Sequence, residues 1–291
     1  MLSTSVTRLP SLHIIALTIV SMIALAANAV LCRLALIQDT IDPATFTLVR
    51  VGSAAAMLWV ILLFRGKAGS AGGSWQASFA MFASAIAFSF AFITLSAGAG
   101  ALLLYSAVQA TMVTVGIVRG ERMTTLQWTG LILSLLGLAA LVAPGVSAPS
   151  LSGAVLMLGA GVAWGTYSLL GQAVTSPLEA TAGNFLRALP MAVLVAAVAA
   201  FFIGLHADAS GLIYAALSGA VATGLGYTIW YAALPGLSPA QGASVQLSVP
   251  VIAALAGALM IGETITIRLL LSSIAILGGI ALVIANKPLK S

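Results

Sequence analysis

The sequence predicts an all-α integral membrane protein of about ten transmembrane helices, arranged as two inverted five-helix repeats with both termini in the cytoplasm. Three observations lead to this prediction: the composition, the apolar runs, and a string of residues that occurs twice. Of the 291 residues, 61% are hydrophobic and 6% charged, and the mean hydropathy is +1.17. Soluble domains carry roughly 25% charged residues. This chain has too little polar surface to cover a soluble core, so its solvent is a lipid bilayer.

Ten apolar runs of transmembrane length are separated by short breaks rich in Gly, Pro, Ser or charge. They cover residues 12–36, 44–64, 77–97, 101–118, 126–143, 152–173, 181–204, 211–233, 241–261 and 267–285. About 20 apolar residues match a hydrocarbon layer of roughly 30 Å. The runs lack the alternating pattern of barrel strands, so each must satisfy its own backbone hydrogen bonds as a helix.

A turn and the helix after it occur twice. Gly120-Glu121 returns as Gly262-Glu263, and the apolar residues that follow match at the same offset of 142. Earlier helices match at an offset of 137, which pairs Arg50 with Arg187. Because each half holds an odd number of helices, the second half enters the membrane upside down relative to the first. The predicted repeats span residues 12–143 and 152–285.

The glutamate of each duplicated turn is expected to cap the next helix or to pair with a nearby arginine. For Glu121 that partner is Arg122, and for Glu263 it is Arg268. The glycine before each glutamate is expected to free the backbone for the turn.

Basic residues set the orientation, because cytoplasmic loops of membrane proteins are enriched in Lys and Arg. With a cytoplasmic N-terminus, most loop cations fall inside and only Arg33 and Arg268 fall outside. The inside set is Arg8, Arg65, Lys67, Arg119, Arg122, Lys287 and Lys290. Eleven basic residues cannot form a stripe that tracks phosphates, so we predict no nucleic-acid partner.

Chemistry-bearing residues are scarce within the apolar runs. No Asp, Glu or His falls in the middle of a run, and Cys32 is the single cysteine. An intramembrane proton relay, an acid–base pair or a metal cluster needs such groups. We therefore predict a protein that is not an enzyme and holds no cofactor or metal. Its expected partners are a small-molecule substrate and the lipid bilayer.

Several motifs together resemble the drug/metabolite transporter superfamily, in particular its ten-helix EamA-type branch. They are Ala163-Trp164-Gly165-Thr166-Tyr167, Arg50 and Arg187, Tyr231-Ala232-Ala233-Leu234, Leu237-Ser238-Pro239-Ala240, the Pro250-containing ninth helix, and the Gly-Glu pairs. Within the branch the chain looks like the YddG-like exporters of aromatic and other amino acids in the bacterial inner membrane. The resemblance implies export of small metabolites by alternating access through a central cavity, with the single chain as the expected unit. The first half departs from the pattern at Ala27-Asn28, where the repeat would have Trp-Gly.

The fourth and ninth helices are the first candidates for the wall of such a cavity, because polar and Pro interruptions mark the sites of inverted-repeat carriers. Tyr105, Gln109 and Met112 recur at i, i+4 and i+7, on one helix face. A buried glutamine that faced lipid would leave its amide unpaired. Gln109 therefore faces either the cavity or a neighbouring helix.

In the ninth helix, Gln246, Pro250, Ala253 and Gly257 form the corresponding face. Pro250 removes a backbone hydrogen bond, so we predict a hinge there, with a static kink as the alternative. Ser244 and, in the first helix, Asn28 are further candidates for hydrogen bonds to substrate, although small polar residues also serve helix packing.

Aromatic residues cluster in the second half of the chain. We assign Trp164, Tyr167 and Tyr227 to the cavity, with ordinary helix packing as the alternative. Trp230 and Tyr231 lie nearer a helix end and are assigned to the interfacial belt.

Arg50 and Arg187 begin equivalent helices from opposite faces of the membrane. Each either anchors its helix, paired with a loop carbonyl or a helix end, or binds a substrate carboxylate.

The composite prediction is an exporter of amino acids and related metabolites. A broad-specificity drug or solute permease is the alternative within transport. A non-transporting membrane scaffold or sensor is the alternative from another class, although loops of a few residues offer little surface for partners.

Overall fold

The computed structural model describes residues 11–67, 72–120, 122–145, 148–172, 174–202, 204–237 and 239–285. Arg8, Glu121, Lys287 and Lys290, which carry predictions of turn contacts and orientation, lie outside these ranges.

Ten apolar helices make up the described chain, nine of them long enough to cross a membrane and one slightly shorter. They are α1 Leu12–Ile37, α2 Pro43–Phe64, α3 Trp75–Ala91, α4 Ala97–Val118, α5 Thr125–Val142, α6 Leu151–Gly171, α7 Pro177–Phe202, α8 Ala209–Gly236, α9 in two pieces, Pro239–Gln246 and Ser248–Ile261, and α10 Ile267–Ala285. The shorter helix is α3. Among the described residues the only extended pairing is an isolated bridge between Ile41 and Ala207. The predicted all-α membrane fold is confirmed.

Polar residues before the apolar runs determine where the helices begin. Each of the first six helices is preceded by a Ser, Thr or Asp whose side chain accepts a hydrogen bond from a backbone N–H of the first turn. These caps are Ser11, Asp42, Ser74, Ser96, Thr124 and Ser150. Such caps satisfy donors that would otherwise have no partner inside the helix. The caps explain why α4 begins at Ala97, four residues before the apolar run suggested.

The eighth helix is not regular along its length. It is α-helical over Ala209–Ala216 and Gly226–Ala233, but Leu217–Leu225 has π hydrogen bonding. A π segment widens the helix by one residue per turn and often occurs at functional sites. The apolar pattern gave no sign of it.

Loop contacts show which ends of the helices share a side of the bundle. The side at which α1 begins is called the near face, and the opposite side the far face. At the far face, Ile41 before α2 pairs with Ala207 after α7. At the near face, Gly72 N beyond α2 donates to Glu179 O at the start of α7, over 3.1 Å. The helices α2 and α7, equivalent by the sequence offset, therefore run antiparallel.

The duplicated turns have the same backbone conformation at their glycines. Gly120 has a φ of 92° and Gly262 a φ of 74°, both in the left-handed region that glycine adopts without a steric cost.

The glutamate of the second turn has a different partner from the one predicted. Glu263 accepts hydrogen bonds from Arg33 Nε at 3.0 Å and from Ala97 N at 2.9 Å. Arg268 instead donates to the carbonyl oxygen of Ala143. The chain folds Glu263 toward the start of α4, where the helix dipole and a free N–H favour a carboxylate. The predicted pairing of Glu263 with Arg268 is therefore wrong.

The α5–α10 contact joins the two halves outside the central helices. A Cβ added at Gly279 would lie 2.4 Å from Gly130 O, and one added at Gly130 would lie 2.5 Å from Gly279 O. Ser134 Oγ donates to Ile276 O at 3.1 Å. Small residues let membrane helices approach closely and gain packing energy.

We expect Gly279→Ala to destabilise the protein by about 1–3 kcal/mol, because the new methyl group has no space between α5 and α10. Thermal unfolding in detergent measures this effect. Gly278→Ala is the matched control, since a Cβ there meets nothing within 4 Å. Equal unfolding midpoints for the two variants would contradict the close packing.

Candidate functional site

A cavity of about 800 Å³ lies between the two halves of the chain. Helices α1 to α4 and α6 to α9 all contribute to its wall, while α5 and α10 pack together outside it. Ligand pockets in proteins commonly measure about 300–1,000 Å³. The cavity is therefore large enough for a metabolite.

The cavity reaches the near face. Ser74, Gln172, Val174 and Leu237, which lie at helix ends or in turns of that face, line its mouth. Toward the far face the lining ends at Phe88 and Ala101, about one helical turn from the ends of α3 and α4. A solute could therefore enter from the near face.

The far face is sealed by packing and by an ion pair. Phe92 and Leu95 at the turn between α3 and α4 are fully buried. Arg33, at the end of α1, pairs with Glu263 and also donates to Phe92 O and Ile93 O, each at 2.9 Å. One guanidinium thus ties the end of α1 to two turns of the far face, α3–α4 and α9–α10.

The predicted face of α4 lines the cavity. Tyr105, Gln109 and Met112 all contribute to the wall, with Tyr105 buried and the other two partly buried. The helical period of 3.6 residues places these positions on one stripe, as the sequence predicts.

Three predicted aromatic residues form one wall. Trp164 lies 5.1 Å from Tyr167 and 5.6 Å from Tyr227, measured between ring centroids. All three line the cavity. Tilted aromatic contacts at these distances are favourable and hold the rings in a fixed arrangement.

The belt assignment of Trp230 and Tyr231 is wrong, because both line the cavity. Trp230 is 9% exposed, and the Tyr231 ring lies 6.4 Å from Tyr227. Proximity to a helix end does not tell which way a side chain points, and α8 turns this end inward.

Other lining residues were not predicted. Thr181 shares hydrogen bonds with the hydroxyls of Tyr167 and Tyr231, at 3.2 and 2.9 Å. This contact joins α6, α7 and α8, and no pattern within one helix could reveal it.

The α3 contribution to the wall was also missed. Met81, Ser84, Ala85 and Phe88 line the cavity at i, i+3, i+4 and i+7. That spacing was readable in the sequence as a helix face with a polar position.

The predicted face of α9 is only partly in the cavity. Gln246 lines it, but Pro250, Ala253 and Gly257 are buried in helix packing. Ser244 is exposed and outside the lining, because a residue two positions before Gln246 points to the opposite side of the helix. The predictions for Ser244 and for a continuous cavity face are corrected accordingly.

The expected mid-helix proline lies instead in the first turn of the second α9 piece. The break occurs at Leu247, whose N–H reaches Ser244 O at 3.1 Å. Pro250 has no N–H to donate to the Gln246 carbonyl four residues earlier. The interruption at Leu247 therefore lies next to Gln246, the α9 candidate that lines the cavity.

Asn28 lines the cavity, but both its amide oxygen and its amide nitrogen make hydrogen bonds within the protein. Ser218 Oγ donates to Asn28 Oδ1 at 2.5 Å, and Asn28 Nδ2 donates to Thr223 Oγ1 at 3.3 Å. Both partners belong to the π segment of α8. Asn28 thus joins α1 to α8.

Arg50 and Arg187 have different surroundings in the structure. Arg187 Nη1 donates to Gly72 O at 2.6 Å, which ties α7 to the turn before α3. Arg50 lines the cavity and is 8% exposed. Its guanidinium carbon, Cζ, lies 4.7 Å from the centroid of the Phe88 ring. Its Nη1 has no hydrogen-bond partner among the described residues.

Groups that could hold a metal are not found among the described residues: no three His, Cys, Asp or Glu side chains come together there. Cys32 is a free, fully buried cysteine. The cavity offers aromatic rings, amides, hydroxyls and one guanidinium, which are groups for binding a solute.

The described chain has ten apolar helices, and eight of them line a cavity that opens to one face, which is an arrangement typical of a membrane transporter. Comparison with known families agrees: the model of the EamA-like transporter family matches residues 12–143 and again residues 151–285. The chain therefore belongs to the EamA-like transporter family.

Two similar proteins extend this comparison. A Pseudomonas aeruginosa protein, described only as uncharacterized, is 51% identical over 280 residues, covering 96% of this chain and 97% of its own. A solved crystal structure at 17% identity has a TM-score of 0.62 and covers 90% of this chain and 94% of its own. At that identity the likeness concerns the fold.

We expect Asn28→Ala to lower the stability of the protein by about 1–2 kcal/mol, since two buried hydroxyls lose their partner. Thermal unfolding without substrate measures the change. Ser106→Ala is the control, because among the described residues the Ser106 hydroxyl donates to Leu102 O of its own helix and joins no second helix. Unchanged stability with weakened substrate binding would instead make Asn28 a substrate ligand.

Proposed function

We propose that the protein exports amino acids, chiefly aromatic and hydrophobic ones, and related small metabolites from the bacterial cytoplasm. One observation carries the proposal. The chain encloses a cavity of about 800 Å³ that reaches one face of the membrane and has an aromatic wall beside polar groups. Such a cavity suits a solute with an apolar body and a polar head. Membership of the EamA-like transporter family supports the transport role.

An inverted repeat is the second part of the proposal, with repeats at residues 12–143 and 152–285. The contacts support it, because exchanging the halves leaves the packing pattern unchanged. Packing of α3 on α6 becomes α8 on α1, and packing of α4 on α6 becomes α9 on α1. The contact between antiparallel α2 and α7 maps onto itself in this exchange. Two halves of opposite orientation allow alternating access by exchange of their conformations.

Orientation follows from the charges. Near-face loops carry Arg65, Lys67, Arg119 and Arg122, whereas the far-face cations among the described residues are Arg33 and Arg268. The cytoplasmic side of membrane proteins is the basic one. We therefore assign the near face and both termini to the cytoplasm, with the chain in the bacterial inner membrane. The cavity then opens inward, as an exporter awaiting substrate requires.

The single chain is proposed as the transport unit. Both halves of the cavity wall come from one chain, so no second copy is needed to complete it. Its proposed partners are the small-molecule substrate and the lipid bilayer.

A broad-specificity permease remains the second candidate, and the lining favours it in one respect. The wall is mostly apolar, with several aromatic rings, and such surfaces also accept amphiphilic cations.

Counterflow of a panel of labelled amino acids in proteoliposomes tests the proposal. We expect aromatic and hydrophobic amino acids to exchange, with or without a pH gradient. Trp164→Ala should lower the exchange by roughly tenfold, since losing an aromatic contact with the substrate costs about 1–3 kcal/mol. Trp128→Ala, a lipid-exposed tryptophan outside the cavity, is the control.

Movement of amphiphilic cations without any amino acid would favour the permease. Absence of all flux, together with a co-purifying partner, would favour the scaffold or sensor.

The break in α9 is proposed as a hinge. Pro250→Ala restores an N–H that can bond the Gln246 carbonyl and make α9 continuous. One backbone hydrogen bond contributes about 1 kcal/mol, so exchange should slow roughly five- to tenfold while binding is retained. Pro190→Ala, at an exposed proline inside α7, is the control. A Pro250→Ala protein that exchanges at the normal rate removes the hinge.

A further inference from the structure

We propose that Arg50 is the binding residue for a carboxylate on the substrate, so that the cavity takes small monocarboxylates with an apolar or aromatic body. This inference rests on the proposed transport function and adds the chemical group that the cavity recognises.

Burial without a partner is the first observation. Arg50 lies in the cavity wall and is 8% exposed. Its Nη1 donates a hydrogen bond to no group among the described residues. Removing a guanidinium from water is costly unless its donors are paired. We infer that a ligand in the cavity accepts the hydrogen bonds that the Arg50 guanidinium does not make within the protein.

Among the described residues, no acidic side chain lines the cavity. Acidic side chains of the described residues lie at helix ends and in turns, outside the cavity wall: Asp39, Asp42, Glu179, Asp208 and Glu263. Glu263 is paired with Arg33, and Asp42 caps α2. A guanidinium with no anion beside it among the described residues attracts an external one, most strongly inside a cavity of low polarity.

The surroundings hold Arg50 in position. Its guanidinium carbon lies 4.7 Å from the centroid of the Phe88 ring, which supports it by a cation–π contact. Its backbone is held by α8, because a Cβ added at Gly219 would lie 2.2 Å from Arg50 O. A planar fork of donors held in this way matches a carboxylate in two parallel hydrogen bonds.

The equivalent arginine shows what a structural arginine does in this fold. Arg187 is partly exposed and its Nη1 is used by Gly72 O. Arg50 has no such bond, and the aromatic wall of Trp164, Tyr167 and Tyr227 shares its cavity. The combination fits a carboxylate at one end of the ligand and an apolar group at the other.

Three probes separate the carboxylate from the rest of the ligand: L-phenylalanine, L-phenylalaninamide, which lacks the carboxylate, and 3-phenylpropanoate, which lacks the amine. Binding to the purified full chain is measured by the ligand-induced shift in thermal unfolding and by tryptophan fluorescence. We expect the wild type to bind both carboxylates at least tenfold more tightly than the amide. Arg50→Met should remove that preference, and Arg50→Lys should restore part of it.

Arg65→Gln is the control variant, since it removes a cation from the exposed end of the same helix and should leave the preference unchanged. Stability without ligand gives an independent readout. Loss of an unpaired buried charge should raise the unfolding midpoint of Arg50→Met. A lower midpoint with an unchanged preference for carboxylates would make Arg50 structural and overturn the inference.

The two proposals fail in distinguishable ways. Wild-type protein that binds 3-phenylpropanoate through Arg50 but exchanges no amino acid supports the carboxylate site and contradicts amino-acid export. Equal binding of the acid and the amide by a wild type that does exchange amino acids overturns the carboxylate site and leaves export intact.

Discussion

A polar group inside a membrane must find its partner within the chain, and this constraint organises the whole structure. Arg33 meets Glu263 and two carbonyl oxygens, while Arg187 meets the carbonyl of Gly72. Asn28 satisfies Ser218 and Thr223 across the bundle. Each of these bonds joins helices that are distant in sequence, since hydrocarbon offers no other partner. Among the described residues, Thr45 Oγ1 and Arg50 Nη1 are the exceptions, and of these two residues Arg50 is the one that lies in the cavity wall.

Sequence reasoning succeeded where the physics acts along one helix. Apolar length predicted the ten helices, and the helical period placed Tyr105, Gln109 and Met112 on one stripe of the cavity. Glycine at the duplicated turns correctly predicted a backbone that other residues avoid, at Gly120 and Gly262. In each case the cause lies within a few residues of its effect.

Prediction failed where the cause lies across the bundle. The partner of Glu263 is 230 residues away at Arg33, and the pairing depends on how the far-face turns meet. Trp230 and Tyr231 were placed by depth alone, although the packing of α8 decides which way they face. The π segment of α8 has no signature in the apolar pattern. Its register is fixed by contacts with α1 and α2, including the bonds to Asn28.

The two halves are alike in fold but unequal in charge, and this inequality bears on which state is stable. Under the proposed repeat, the offset of 137 pairs Arg33 of the far-face seal with Leu170, an uncharged residue that lines the cavity. The ion pair that closes the far face therefore has no arginine to form its equivalent at the near face. The near face has a different ion pair, Lys67 with Glu179, which joins the turn after α2 to the start of α7. Under the proposed alternating access, a state closed at the near face would lose the Arg33–Glu263 pair without gaining its equivalent, and a ligand that engages both halves would offset part of that loss.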